Sequence, residues 1–298
     1  MTNKGKSTIC SEYSNSRGHI AVLINISLGI VMILIAGCSV LDVVNSLSST
    51  DGSSTTTGIS YGDNQRHKLD VYLPERPARD SAWIVFFYGG GWTKGQRADY
   101  AFVGRRLAAL GYYVVIPDYR LYPQVTFPAF IEDGANAVDW VFKHRLTWSA
   151  DDLPVVLMGH SAGAQIAALL AMDTLARENS GPKEIDAWIG LAGPYNFLPI
   201  KSAALKQVFP ESTRHESQAI NFVNADNPPA LILHGETDRR VLPANSLSLH
   251  QALTDNGVNA MLRIYPNTGH AAILRPFASF LSPSIPVLGD ISSFIEGL

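Results

Sequence analysis

Cysteine is nearly absent. The chain has two in 298 residues, Cys10 and Cys38, both close to the amino terminus. Everything beyond Cys38 therefore lacks a thiol nucleophile, a disulfide and a cysteine-based zinc site, and its body depends on its core. No charge of one sign dominates: 23 Lys and Arg stand against 26 Asp and Glu, for a formal net charge of −3, with no basic stripe and no acidic tail. That balance leaves no electrostatic footprint for a nucleic-acid partner. No internal repeat is evident, and the remaining composition is that of an ordinary globular protein.

The first segment reads as a targeting leader. Lys4, Lys6 and Arg17 precede an apolar run from Ile20 to Ala36, interrupted only by Asn25, Ser27 and Gly29. A basic start, an apolar middle and small residues at the end describe a secretory signal. Ile35-Ala36-Gly37-Cys38 resembles the lipobox of bacterial lipoproteins. The resemblance implies a signal peptide over 1–37, cleavage before Cys38, and acylation of its thiol and new amino group. Two or more acyl chains hold a protein to a membrane stably. The other reading is an uncleaved anchor, because no charge intervenes between His19 and Asp42. Both readings place the body outside the cytoplasm.

Residues 38–58 are expected to form a tether, since Val44 to Gly58 is rich in Ser, Thr and Gly and has little apolar surface to bury. About 240 residues, 59–298, then remain for one large domain with a full core. Short apolar runs alternate with helical stretches there. Leu69–Leu73, Trp83–Tyr88, Tyr112–Pro117, Val155–Met158, Ala187–Leu191, Ala230–Leu233 and Ala260–Tyr265 read as strands. Ala98–Leu110, Phe130–His144, Ala164–Ala171, Ala244–Asp255 and a closing segment around Ile291–Ile295 read as helices. Such alternation predicts an α/β protein with a mostly parallel central sheet and helices on both faces. Ligands in such sheets bind at the carboxyl ends of the strands. A longer insertion at 194–229, with Phe197, Leu198, Phe209 and Phe222, is expected as a small lid over that rim.

Gly159-His160-Ser161-Ala162-Gly163 sits between one of these strands and a helix. G-x-S-x-G in that context is a nucleophile elbow: small neighbours permit a sharp turn that lifts the serine hydroxyl above the sheet. A serine hydroxyl needs a base, usually a histidine oriented by a buried carboxylate. His270, on the loop beyond Ala260–Tyr265, is the expected base. Asp238, beyond Ala230–Leu233, is the expected orienting acid, with Glu236 two positions earlier as its competitor. His160 is expected to point away from the hydroxyl, and His234 to cap the end of its strand. Asp118, with Tyr119 and Arg120, is read as structural. Tyr88-Gly89-Gly90-Gly91-Trp92 ends another strand, and the amides of Gly90, Gly91 and Ala162 are the expected oxyanion donors. Trp92 is expected to pack beneath this loop. The chemistry asks for no metal and no cofactor.

These residues resemble the α/β-hydrolase superfamily. The nearest likeness is to carboxylesterases of the hormone-sensitive-lipase type and to the feruloyl/acetyl-esterase (BD-FAE-like) and arylformamidase-like groups. Leu69-Asp70-Val71-Tyr72-Leu73-Pro74, the glycine loop, Pro117-Asp118-Tyr119-Arg120-Leu121-Tyr122-Pro123, the elbow, His234-Gly235 with Asp238, and Gly269-His270 carry it. One departure stands out: the glycine loop usually opens with a histidine that braces it, whereas this chain has Tyr88. The resemblance implies the α/β-hydrolase fold and a serine hydrolase acting on small or medium acyl esters through an acyl-enzyme, with a small-molecule ester as partner. Two alternatives stay open: cleavage of an amide or formamide by the same residues, and a catalytically silent module at the cell envelope.

Overall fold

The structure, a computed structural model, describes residues 40–172, 185–281 and 285–298. The expected signal peptide and Cys38 lie outside the described residues. The chain divides into two units, Met1–Ser46 and Leu47–Leu298. Of the first, the structure describes only part of helix α1 (Val40–Leu47), which opens with Asp42 in its first turn and buries none of its residues. Among the described residues, no helix is long and apolar enough to cross a membrane.

The second unit is built on one eight-stranded sheet. Its elements, in chain order, are β1 (Ser53–Ser60), β2 (Lys68–Pro74), β3 (Trp83–Phe87), α2 (Ala101–Ala109), β4 (Tyr113–Pro117), α3 (Ala129–His144), β5 (Val155–His160), α4 (Ala162–Met172), β6 (Ala187–Leu191), α5 (Ala203–Val208), β7 (Ala230–Gly235), α6 (Ala244–Asp255), β8 (Ala260–Tyr265) and α7 (Val287–Ile295). The spatial order is β1-β2-β4-β3-β5-β6-β7-β8. β1 pairs antiparallel with β2 and β2 antiparallel with β4; every later pairing is parallel.

The burial of each strand follows from its place. β3, β5, β6 and β7 are covered on both faces, and every residue in them is buried. That is why they read as unbroken apolar runs rather than as alternating ones. α3, α4 and α6 form one covering layer, while α2, the 3-10 turn Ala272–Phe277 and α7 form the other. This is the α/β-hydrolase arrangement. Crossovers between parallel strands bring every loop that follows β3, β5, β7 and β8 to one rim, where the chemistry-bearing residues gather.

The tether expected over 38–58 needs correction in both halves, since Val40–Leu47 is helix α1 and the later part enters a strand. Ser53–Ser60 is strand β1, with Ser54 opposite Leu73 and Thr55 opposite Tyr72. Its side chains are almost all exposed, so it contributes no apolar face. An edge strand is held by its ladder and by the β preference of threonine, and neither shows up as hydrophobic periodicity. The register breaks between Thr56 and Ile59, where the Gly58 amide donates to Asp70 Oδ1 at 2.8 Å.

Candidate active site

The elbow forms because two glycines leave no room for anything larger. A Cβ at Gly159 would stand 2.1 Å from the Gly163 carbonyl oxygen, and one at Gly163 would stand 2.0 Å from that of Phe87. With both glycines in place, β5 turns into α4 within one residue, and Ser161 takes the left-handed region at φ 56°. For a non-glycine residue this conformation costs on the order of 1–2 kcal/mol, which the surrounding ladder must offset. The Ser161 amide donates to the Leu191 carbonyl at 2.9 Å, and its own carbonyl accepts from Ala164 and Gln165. The serine is therefore locked at both ends, with its side chain on the rim.

His270 and Asp238 arrive from the neighbouring loops. His270 Nε2 lies 2.8 Å from Ser161 Oγ, and His270 Nδ1 lies 2.7 Å from Asp238 Oδ2. The carboxylate can only accept, so Nδ1 carries the hydrogen and Nε2 presents its lone pair to the serine hydroxyl. Asp238 sits at the head of a turn in which Oδ1 accepts from the amides of Arg240 and Val241. Burial by itself would raise its carboxyl, but the hydrogen bonds from His270 and Val241, the His270 ring and the Arg240 amide outweigh it. They hold the group below the usual carboxylate range. The structure thus brings together the three residues read from the sequence.

The alternatives occupy other places. Glu236 is exposed and accepts from the Asn267 amide at 3.1 Å, bracing the loop that carries His270. His160 turns away from the hydroxyl, as expected: its Nε2 donates to the His270 carbonyl at 3.2 Å, and its ring lies 5.0 Å from that of His270. Burial, then the neighbouring His270, pushes its pKa down to about 3, so it stays neutral. His234 is buried beside Asp238 rather than merely closing its strand.

The glycine loop rests on the aromatic and ionic groups below it. Gly90 and Gly91 both have positive φ, 144° and 63°. Among the described residues, none accepts a hydrogen bond from the amides of Gly90, Gly91 or Ala162. Tyr88, in the place where histidine is usual, donates its hydroxyl to Asp118 Oδ1 at 2.9 Å and accepts from Arg66 Nη2 at 2.7 Å. Arg66 also donates to the Gly95 carbonyl, and Tyr119 donates its hydroxyl to the Tyr88 carbonyl. Asp118 is completed by Arg97, which also pairs with Asp70. The structural reading of Asp118 and Tyr119 holds, and the tyrosine substitutes for histidine as a brace.

Trp92 does pack beneath the loop, against Phe130, Phe197 and Phe209. Its Nε1 donates to Gln165 Oε1 at 3.1 Å, and Gln165 Nε2 donates to the Ser217 carbonyl at 2.9 Å. Gln218, in turn, accepts from the Phe197 amide at 2.7 Å. A buried polar chain thereby ties the glycine loop and the elbow helix to the insertion at 194–229. Sequence reasoning missed Gln165, Arg66 and Ser246, and read His234 only as the cap of its strand. The only available signal was a polar residue inside an otherwise apolar helix or strand, as at Gln165 and His234.

Comparison with known proteins finds esterases among those this chain is similar to. The chain is 30% identical over 242 residues to a probable isoprenylcysteine alpha-carbonyl methylesterase of rice (Oryza sativa subsp. japonica), covering 72% of this chain and 58% of that protein. It is 28% identical to esterase LipQ of Mycobacterium tuberculosis, covering 74% of this chain and 58% of LipQ. The chain thus spans somewhat over half the length of these curated relatives. A solved carbohydrate esterase from gut microbiota, in truncated form, superposes with a TM-score of 0.73 at 21% identity, over 84% of this chain and 98% of that one. The BD-FAE family model matches residues 69–253, more than half of the sequence, and the chain belongs to that family of α/β-hydrolases.

Proposed function

We propose that the protein is a serine carboxylesterase working through Ser161, His270 and Asp238. The observation that carries this reading is the unbroken hydrogen-bonded line from Ser161 Oγ through His270 to Asp238, 2.8 Å and 2.7 Å long in its two links. As the Ser161 oxygen bonds to the acyl carbon of an ester, its proton passes to His270 Nε2, and Asp238 stabilises the imidazolium so formed. The carbonyl oxygen becomes an oxyanion facing the amides of Gly90, Gly91 and Ala162, which have no acceptor among the described residues. Collapse of this intermediate breaks the bond to the leaving alcohol, which takes the proton from His270. Water then repeats the sequence on the acyl-enzyme, releasing the acid and restoring Ser161. Small and medium acyl esters are the expected substrates, in keeping with the esterase names of the relatives. The insertion at 194–229, tied to the elbow helix through Gln165 and Ser217, is the lid over this rim in this reading.

Hydrolysis of p-nitrophenyl acetate tests the reading. Ser161→Ala abolishes it and abolishes covalent labelling by a fluorophosphonate, while folding is retained. Undiminished turnover by that variant removes the mechanism. The leader motif supports a second part of the proposal, that Cys38 is lipidated and the enzyme stands outside the cytoplasm on a membrane. Cys38→Ser then releases the protein from the membrane fraction and ends incorporation of labelled palmitate.

A further inference from the structure

Asp238 is approached by a second histidine that takes no part in the proton transfers above. His234, on β7, is fully buried, with Nε2 2.9 Å from the Val241 carbonyl oxygen and 3.3 Å from Asp238 Oδ2. Its Nδ1 lies 2.7 Å from the hydroxyl oxygen of Ser246, a wholly buried residue of α6. These partners determine the tautomer. A carbonyl oxygen accepts only, so Nε2 bears the hydrogen; Nδ1 keeps a lone pair and accepts from the Ser246 hydroxyl. Burial pushes the imidazole below its ordinary titration range, and the ring stays neutral. The Nε2–H dipole is then directed at the two ends of one turn, the Val241 carbonyl and, as a longer branch, the Asp238 carboxylate. Oδ2 is the same oxygen that holds His270, whereas Oδ1 is engaged by the Arg240 and Val241 amides.

We infer that His234, held in one tautomer by Ser246, is a positioning residue: it fixes the Asp238 turn and shares Oδ2 with His270. The inference rests on the triad proposed above. It has a chemical consequence beyond stability. A neutral donor on Oδ2 disperses part of the carboxylate charge, so its removal makes that oxygen a stronger acceptor toward the His270 imidazolium. The titratable groups facing Asp238 are His270 on the loop after β8, His234 on β7 and His160 at the end of β5. With His160 and His234 both held neutral by burial, the change of charge beside Asp238 comes from His270, and His234 contributes the dipole of its N–H.

The test compares His234→Phe, His234→Gln and Ser246→Ala in steady-state hydrolysis of p-nitrophenyl acetate, from mildly acid to mildly alkaline pH. His234→Phe keeps the ring volume and loses the donor. It lowers kcat about ten- to hundredfold with KM nearly unchanged, and it moves the acid limb of kcat/KM upward by about half a pH unit. His234→Gln carries an amide N–H to the place of Nε2, restores most of kcat and returns the limb to its original position. A folded His234→Phe enzyme with the original kcat and limb overturns the inference, as does a glutamine variant no better than phenylalanine. If circular dichroism shows His234→Phe unfolded, Ser246→Ala decides. A several-fold loss of kcat at constant KM supports the tautomer lock, and an unchanged kcat overturns it. Ser161→Ala in the same assay separates the two readings, because undiminished turnover there removes the triad itself whatever the His234 variants do.

Discussion

At the scale of single residues, the site depends on which atom of each group holds a hydrogen. His270 must carry its hydrogen on Nδ1 to leave Nε2 free for Ser161, and only an acceptor at Asp238 enforces this. Asp238→Asn keeps the shape but offers an amide that can donate, so the imidazole turns to the wrong tautomer. In a triad of this kind kcat is expected to fall by about 10³- to 10⁴-fold with little change in KM. Stopped-flow or steady-state kinetics of that variant read the loss directly. Tyr88 is a second case. Its hydroxyl joins Asp118 to Arg66 under the glycine loop, and Tyr88→Phe removes one donor and one acceptor from a buried charged cluster. Arg97 still neutralises Asp118, and Arg66 keeps the Gly95 carbonyl. A cost of about 1–3 kcal/mol in stability follows, read as a lower denaturant midpoint, and a several-fold loss of kcat accompanies it as the loop amides lose their support.

At the scale of elements, the elbow is the part least tolerant of change. Gly163→Ala would place a methyl carbon 2.0 Å from the Phe87 carbonyl oxygen, a backbone atom of the central strand β3 that cannot step aside. This variant is expected either to fail to fold or to displace Ser161 so far that fluorophosphonate labelling ceases; wild-type labelling would contradict the packing argument. The same stretch explains why so much of the site was legible in the sequence. Gly159, Ser161 and Gly163 stand at fixed spacing because one tight turn demands them. Asp238 and His270 follow apolar runs whose carboxyl ends share a rim. Strand β6 was found to the residue, since a buried run bounded by polar loops announces itself, and β8 was found from its apolar sequence although only Tyr265 in it is buried. β1 was missed because an edge strand of serine and threonine has no apolar face, only a backbone ladder. Gln165 and Ser246 were missed because their partners lie 52 and 12 positions away. No local pattern records that a polar side chain inside a helix is answered from another element.

At the scale of the whole molecule, burial of titratable groups bounds the pH at which this fold is stable. His160 and His234 are buried neutral, with folded pKa values below the ordinary one, His160 at about 3. Below about pH 6.5 the unfolded chain takes up protons at these positions that the native state refuses. Stability therefore declines as the pH falls from about 6.5, by about 1.4 kcal/mol per pH unit for each histidine in the affected window. For His160 that window extends down to about 3. Asp238, whose folded pKa is also depressed, adds its own loss only at lower pH, as acid protonates a carboxylate that the turn prefers charged. On the alkaline side the signs reverse in the same direction of argument. Burial raises the pKa of Tyr100 to about 12 and those of Tyr72, Tyr88, Tyr119 and Tyr195 well above their ordinary value. Above about pH 10 the unfolded chain ionises its tyrosines while the native state cannot, and stability falls again. A plateau between about pH 6.5 and 10 is the expected outcome, measured by urea unfolding at a series of pH values. His160→Asn should remove about 1.4 kcal/mol per pH unit from the acid slope while leaving the alkaline edge in place. An unchanged acid slope in that variant would show that its neutral burial is not what limits the fold in acid.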